Sequence, residues 1–372
     1  MTSKKFKSIM SLLLSIVLIF TICLSNFSFA TVSSNNEIIY SQKYYVRNKQ
    51  TGFYMGGVDY TSIVQTSFEP NTDWQKWEFI FYNDGYFRIK NLYSGYYLTA
   101  PNSLNTNEMV MESSLSSSND RQLWSLAEFA VNTDGICNYA LIAKTWEGTD
   151  LVLAGMSTPT LYGYPVVQNE YTPDYDYSDE WELIPIWDVY LVGINDTSNG
   201  HNHTNKLSSM ESYFLNDYCD VTTVNTSSIT AYTVKNYLQN SDVFILRACG
   251  YYDDIGTYVY LEATPTMTML HSWNIYNYNS NSGPNLSKCA VAIFAGCHTA
   301  DHETQSLPQA ACDAGAINAI GFHGAPNCSE LSTWTDYFSR EYTTNEKYVD
   351  RAAYNAAMRC MDLEVYNYEI YE

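Results

Sequence analysis

Ala290-Val291-Ala292-Ile293-Phe294-Ala295-Gly296-Cys297-His298-Thr299-Ala300 decides how the second half of the chain is read. An apolar run of this length, closed by small residues, is the pattern of a parallel strand covered on both faces. Cys297 then falls at the strand's carboxyl end, where open α/β sheets place their sites. Asp242-Val243-Phe244-Ile245-Leu246 is a second such run and ends in Arg247-Ala248-Cys249-Gly250. Each run therefore places a thiol at a strand end.

Outward from these strands the rhythm is that of βαβ units. From Trp187 on, strands are expected over 189–194 and 221–224 and helices over 207–215 and 233–238. Residues 254–278 are rich in Tyr and Thr with alternating apolar positions, which predicts a hairpin insert. After Cys297 come a polar loop (299–306), a helix (307–314) closed by Gly315, and a strand (316–322). A final pair of helices is expected over 331–341 and 348–361.

Taken in order, these segments resemble the caspase-like cysteine peptidases, particularly the bacterial CHAT domains. The resemblance is carried by Cys297, by the opening strand ending in Gly193-Ile194-Asn195-Asp196, and by Ala314-Gly315-Ala316 with Ile320-Gly321. Closing helices bearing Trp334 and Phe338, then Ala352-Ala353 and Ala356-Ala357, complete it. The resemblance implies a parallel sheet flanked by helices with Cys297 as nucleophile. In that family the preceding strand ends in His-Gly, the His being the general base; here Gly250 is kept and Cys249 stands at the His position.

That departure governs the chemistry. A thiol acts as thiolate and, with an ordinary pKa of about 8.5, needs a base or a positive environment. A second thiol does not take up a proton near neutral pH and return it to a leaving amine. Three explanations are open. The domain has lost catalysis, or the base has moved to His323 on the other flank, or Cys249 and Cys297 form a disulfide. A metal reading of His298, His302 and His201-Asn202-His203 finds no HExxH, and Asp301-His302-Glu303 reads as a solvated polar loop. No metal or cofactor is expected, and no phosphate loop or dinucleotide fingerprint occurs.

The first half repeats itself. Tyr44-Tyr45-Val46-Arg47-Asn48 with Thr51-Gly52-Phe53-Tyr54-Met55 is echoed by Tyr86-Phe87-Arg88-Ile89-Lys90-Asn91 with Ser94-Gly95-Tyr96-Tyr97-Leu98. Tyr139-Ala140-Leu141-Ile142-Ala143 with Leu151-Val152-Leu153 is a looser third copy. Each copy continues through a short apolar strand to a tryptophan, in Gln75-Lys76-Trp77, Gln122-Leu123-Trp124 and Asp179-Glu180-Trp181. Three strand-rich repeats of roughly 40–50 residues predict an array or a closed symmetric fold, since one unit alone cannot bury its apolar face.

Two Q-x-W elements in this register resemble the ricin-B-type β-trefoil lectins. The resemblance implies that Trp fills the core and that Gln bonds backbone at the end of the repeat. It also implies that sugar binding needs an Asp just after a strand, at places held here by Gly56, Thr99 and Ala154. All three lack the carboxylate, so a sugar site would use other groups, such as Asp59 with nearby tyrosines. An inert spacer or a protein-docking module is the open alternative.

Lys4, Lys5 and Lys7, an apolar stretch from Met10 to Leu24, and Ser28-Phe29-Ala30 together read as a secretory signal peptide. Loss of its three lysines takes the net charge from −21 to −24, which repels nucleic acid and anionic lipid. No later stretch is apolar enough to span a membrane. Of nine cysteines eight follow the leader, with no CxxC and no regular disulfide framework; Cys289 and Cys312 read as buried small hydrophobes.

The expected protein is secreted and has two domains after a signal peptide at 1–30. An all-β, ricin-B-like β-trefoil (36–185) precedes an α/β caspase-like parallel sheet flanked by helices (186–372). Its catalytic candidates are Cys297, His323 and Cys249, as a cysteine peptidase-like protein with or without activity. Its expected partners are a glycan and a peptide or protein. The alternative is a non-enzymatic carbohydrate- or protein-binding protein.

Overall fold

Four short strands follow one another three times over in the computed structural model of the chain. The structure describes residues 42–58, 62–101, 109–112, 120–131, 137–146, 151–159, 163–170, 179–196, 201–261, 268–275, 285–302, 305–344, 347–360 and 367–371. The expected leader and Asp59 lie outside them. The first repeat holds β1 (Gln42–Asn48), β2 (Tyr54–Gly57), β3 (Ile63–Thr66) and β4 (Lys76–Asn83). The second holds β5 (Tyr86–Asn91), β6 (Tyr97–Thr99), β7 (Val110–Glu112) and β8 (Trp124–Val131). The third holds β9 (Cys137–Ala143), β10 (Leu151–Gly155), β11 (Tyr164–Glu170) and β12 (Trp181–Pro185).

First and fourth strands of the repeats pair around a ring. β1 pairs with β4, β4 with β5, β5 with β8, β8 with β9, β9 with β12, and β12 with β1, all antiparallel. Closure leaves this barrel without an exposed edge. Second and third strands form the hairpins β2–β3, β6–β7 and β10–β11. Their apolar residues, among them Met55, Leu98 and Leu153, share one core with the barrel residues Val46, Phe79, Ile89 and Leu141.

Trp77, Trp124 and Trp181 are fully buried in that core. Each indole N–H donates to a hairpin carbonyl: Met55 at 2.9 Å, Leu98 at 3.0 Å and Leu153 at 2.9 Å. A buried indole needs such a partner, and the same bond made three times ties every hairpin to the barrel. The all-β region is thus β-trefoil-like, as the ricin-B resemblance implies, and the repeats close into a symmetric fold. Gln75 Nε2 donates to the Ser67 carbonyl at 2.7 Å, whereas Gln122 Nε2 reaches the Thr99 hydroxyl at 3.3 Å.

The second half is a mixed sheet with helices on both faces. Its strands are β13 (Asp188–Asp196), β14 (His201–Asn202), β15 (Asp220–Thr226), β16 (Val243–Arg247), β20 (Val291–Ala295), β21 (Asn318–Phe322) and β22 (Tyr368–Tyr371). The order runs β15-β13-β16-β20-β21-β22; the first five are parallel, and β22 is antiparallel to β21. β14 adds an antiparallel turn on β13. The sheet is therefore not wholly parallel as expected. β22, which has no long apolar run of its own, covers the edge that β21 would otherwise expose.

Alternation sorts the central strands between two cores. Val243, Ile245, Val291 and Ile293 face α1 (Leu207–Asn216), α5 (Cys328–Thr344) and α6 (Val349–Arg359). Phe244, Leu246, Ala292 and Phe294 face α2 (Ala231–Asn240) and α4 (Leu307–Asp313). Gly315 follows α4 with φ +110°, the backbone its expected closing role requires. The insert is a three-stranded sheet of β17 (Gly250–Asp253), β18 (Gly256–Tyr260) and β19 (Met269–His271), followed by the single turn α3 (Ser272–Ile275). Cys289 is fully buried, with its thiol pushed up to about 12 by burial, but Cys312 is only half-buried.

Candidate functional site

The carboxyl edge of the mixed sheet brings two thiols to matching places. Arg247 is paired with Ala295 across β16 and β20, so Cys249 and Cys297 each lie two residues beyond that pair. The chains beyond the strands touch backbone to backbone. A Cβ on Gly250 would collide with the Cys297 carbonyl oxygen, and one on Gly296 would lie 2.5 Å from the Ala248 carbonyl. Glycine at 250 is thus required by close approach. Both cysteines are half-buried thiols, and Cys297 Sγ points to the Pro326 carbonyl at 3.7 Å.

Cys249 meets an imidazole from the turn that follows β14. His203 follows β13 and β14, and its Nε2 lies 3.2 Å from Cys249 Sγ. The turn carrying it is braced from several sides. Asn202 Oδ1 accepts from Thr204 N at 2.9 Å and from its hydroxyl at 2.7 Å. The fully buried Arg247 guanidinium donates to the Asn205 carbonyl and to Ser332 Oγ. Burial lowers that guanidinium to about 10, which leaves it charged at neutral pH. In the sequence His203 stands out only within the His201-Asn202-His203 metal candidate. Its missed signal is the polar turn directly after the first sheet strand.

His323 stands at the end of β21 and turns both ring nitrogens toward carboxylates. Nδ1 lies 3.1 Å from Asp301 Oδ1, and Nε2 lies 3.0 Å from Glu369 Oε2 on β22. Asp301 also pairs with His298 Nδ1 and accepts from Gly324 N at 2.9 Å. Burial opposes its charge, but the bonds from His298, Gly324 and His323 outweigh that and hold it below the usual carboxylate range. Asp301 is therefore an organising anion, not merely part of a solvated loop. Among the described residues no group of three or more His, Cys, Asp or Glu is arranged to hold a metal ion.

The insert presents an aromatic row beside this edge. Tyr251, Tyr258 and His271 are cross-strand partners, and Tyr258 stacks on both neighbours at 5.9 and 5.7 Å between ring centroids. Trp273 continues the row 5.8 Å from His271, and Tyr252 lies 5.1 Å from the His298 ring.

In the trefoil, the three positions expected for a sugar-binding carboxylate are filled otherwise. Trp74 packs against Gly56 so closely that a Cβ there would strike its ring. Thr99 is buried and donates its hydroxyl to the Tyr97 carbonyl at 2.9 Å, and Ala154 is buried in β10.

Residues 73–169 match the family of ricin-type β-trefoil lectin domain-like proteins, a span running from just before β4 nearly to the end of β11. The chain thus carries a ricin B-like β-trefoil lectin domain. Solved structures with similarity include a designed 3-fold symmetric protein, ThreeFoil, at 22% identity. It covers 38% of this chain and 97% of that one, with a TM-score of 0.32. The Macrolepiota procera ricin B-like lectin in complex with lactose has 18% identity, coverage of 39% and 96%, and a TM-score of 0.31. A GlcNAcα1-4Gal releasing endo-β-galactosidase from Clostridium perfringens has 21% identity, coverage of 39% and 32%, and a TM-score of 0.31. No curated protein matches the chain. Among the described residues no helix is long and apolar enough to cross a membrane.

Proposed function

We propose that this chain is a secreted, glycan-directed protein whose trefoil carries a caspase-like, cysteine peptidase-like domain without the usual imidazole base. The observation that carries this reading is the matched pair of thiols, Cys249 and Cys297, two residues beyond partnered positions on adjacent parallel strands. In the caspase-like resemblance those two places belong to the base and the nucleophile. Cys249 cannot perform the proton transfers of an imidazole. His323, the candidate for a relocated base, has both ring nitrogens on carboxylates. The domain then recognises a peptide at its carboxyl edge and hydrolyses it poorly or not at all. Secretion rests on the basic, apolar and small-residue order of residues 1–30. Glycan recognition rests on the lectin-like trefoil, through groups other than Gly56, Thr99 and Ala154.

Wild type, Cys249→His, His323→Ala and Cys297→Ala are treated with a peptidyl electrophile under reducing conditions, and the label is mapped to individual cysteines. The expected result is no label on wild-type Cys297, labelling of Cys297 in Cys249→His, and none in Cys297→Ala. Peptidase activity of wild type that survives Cys297→Ala would remove the reading. A folded Cys249→His chain with unreactive Cys297 favours the alternative, a purely binding protein.

A further inference from the structure

We infer that Cys249 and His203 form a reactive centre of their own, a thiol–imidazole pair that exchanges with small disulfides at the crevice between β13 and β16. The pair is close, 3.2 Å from Nε2 to Sγ, although 46 residues separate its members in sequence. It is also held in place. Asn202 shapes the turn, Arg247 grips the Asn205 carbonyl, and the Tyr260 N–H fixes the Cys249 carbonyl at 2.9 Å. Gly193 makes the approach possible, because a Cβ there would come 2.7 Å from the His203 carbonyl oxygen. The imidazole is buried while the thiol is half-buried, so the base is shielded and the nucleophile can be reached.

Strand order marks the same place. The chain leaves β13 for β15 on one side and returns to β16 on the other, which makes the gap between β13 and β16 the topological switch point of the sheet. Ligands of open α/β sheets bind in the crevice at such points. The exchange does not use Cys297 as nucleophile, so it stands apart from the peptidase-like reading.

The chemistry balances with the disulfide as the only co-reactant. His203 Nε2 takes the Cys249 proton, and the thiolate attacks one sulfur of R–S–S–R. A Cys249–S–S–R bond forms, the original S–S bond breaks, and R–S⁻ leaves with the electron pair and accepts the proton from the imidazolium. Disulfides form and persist outside the reducing cytosol, so for its co-reactant this inference rests on the proposed secretion.

Oxidised glutathione is the probe. The full chain, His203→Gln and Cys297→Ser are each exposed to it across pH 5–9, and mixed disulfides are mapped and timed by mass spectrometry. At pH 7 wild-type Cys249 should react about ten-fold faster than Cys297, with a rate midpoint below the ordinary thiol value of about 8.5. His203→Gln should slow Cys249 and return its midpoint toward that value, and Cys297→Ser should leave it unchanged. The proposal is overturned if wild-type Cys249 reacts no faster than Cys297 or has an ordinary midpoint, or if folded His203→Gln reacts like wild type. Should His203→Gln fail to fold, the wild-type pH profile decides alone.

Discussion

Lys43 Nζ lies 2.7 Å from Asp188 Oδ1, which ties the first trefoil strand to the first strand of the mixed sheet across 145 residues of sequence. Asp188 also pairs with Lys288 at 2.5 Å, and Asp220 with Lys76 and Lys43 at 3.2 and 3.4 Å. Beside them the Tyr54 hydroxyl donates to the Tyr218 hydroxyl at 2.7 Å, over a cluster of Tyr45, Phe68 and Ile186. β12 ends at Pro185 and β13 begins at Asp188, so the short connection is braced by charge and aromatic packing.

Asp188→Asn should therefore weaken both halves. It removes the carboxylate that two lysines share, at a cost of about 1–3 kcal/mol. Urea unfolding followed by tryptophan fluorescence reads this as a lowered midpoint. A midpoint equal to that of wild type would show that the network does not stabilise the junction.

The same residue sets an acid dependence. Burial raises its pKa, but the bonds from Lys288 and Lys43 outweigh burial and hold Asp188 below the usual carboxylate range. A carboxyl with a lowered folded pKa stabilises fully above its unfolded value of about 3.9, and that contribution is lost as pH falls through the folded value. The penalty of Asp188→Asn should thus be constant from pH 7 to about pH 5 and shrink below pH 4. Urea midpoints of the two proteins at pH 7, 5, 4 and 3 check it; a penalty that grows in acid has the wrong sign.

Trp77→Ala, Trp124→Ala and Trp181→Ala should each cost about 3–5 kcal/mol, the range for deleting a buried tryptophan. The three costs should be similar, because each indole is fully buried and bonded to an equivalent hairpin carbonyl. Since the barrel ring closes on itself, residues 36–185 expressed alone should melt cooperatively. Neutral substitutions, or an isolated segment with no transition, would contradict this account of the core.

Simple galactosides should bind weakly, with a dissociation constant above about 1 mM. A carboxylate accepts charge-assisted bonds from sugar hydroxyls, and Gly56, Thr99 and Ala154, which are packed or buried, supply none. Calorimetry with lactose measures this, and a glycan array on the full chain identifies what is bound instead. Tight lactose binding would mean that the carboxylate comes from another position.

Much of the scaffold is legible along the chain. The apolar runs ending at Leu246 and Ala295 are the fully buried strands β16 and β20, since only a strand covered on both faces needs apolar side chains at every position. The tryptophan spacing shows a three-fold repeat, and the Q-x-W elements carry the resemblance that implies the trefoil. β22 is not legible in the sequence, because Tyr368-Glu369-Ile370-Tyr371 is short and polar in part and pairs along the edge that β21 leaves open.

Local patterning thus determined the repeats, the strands with apolar runs, the helices and the two thiols at strand ends, because side-chain periodicity records which faces are buried. Tertiary structure alone decided what each thiol and imidazole meets. His203 reaches Cys249, His323 turns to Asp301 and Glu369, and Lys43 finds Asp188. These contacts depend on which strand ends become neighbours, and strand order is set by crossovers and by packing on both faces of the sheet. No short stretch of sequence carries that information.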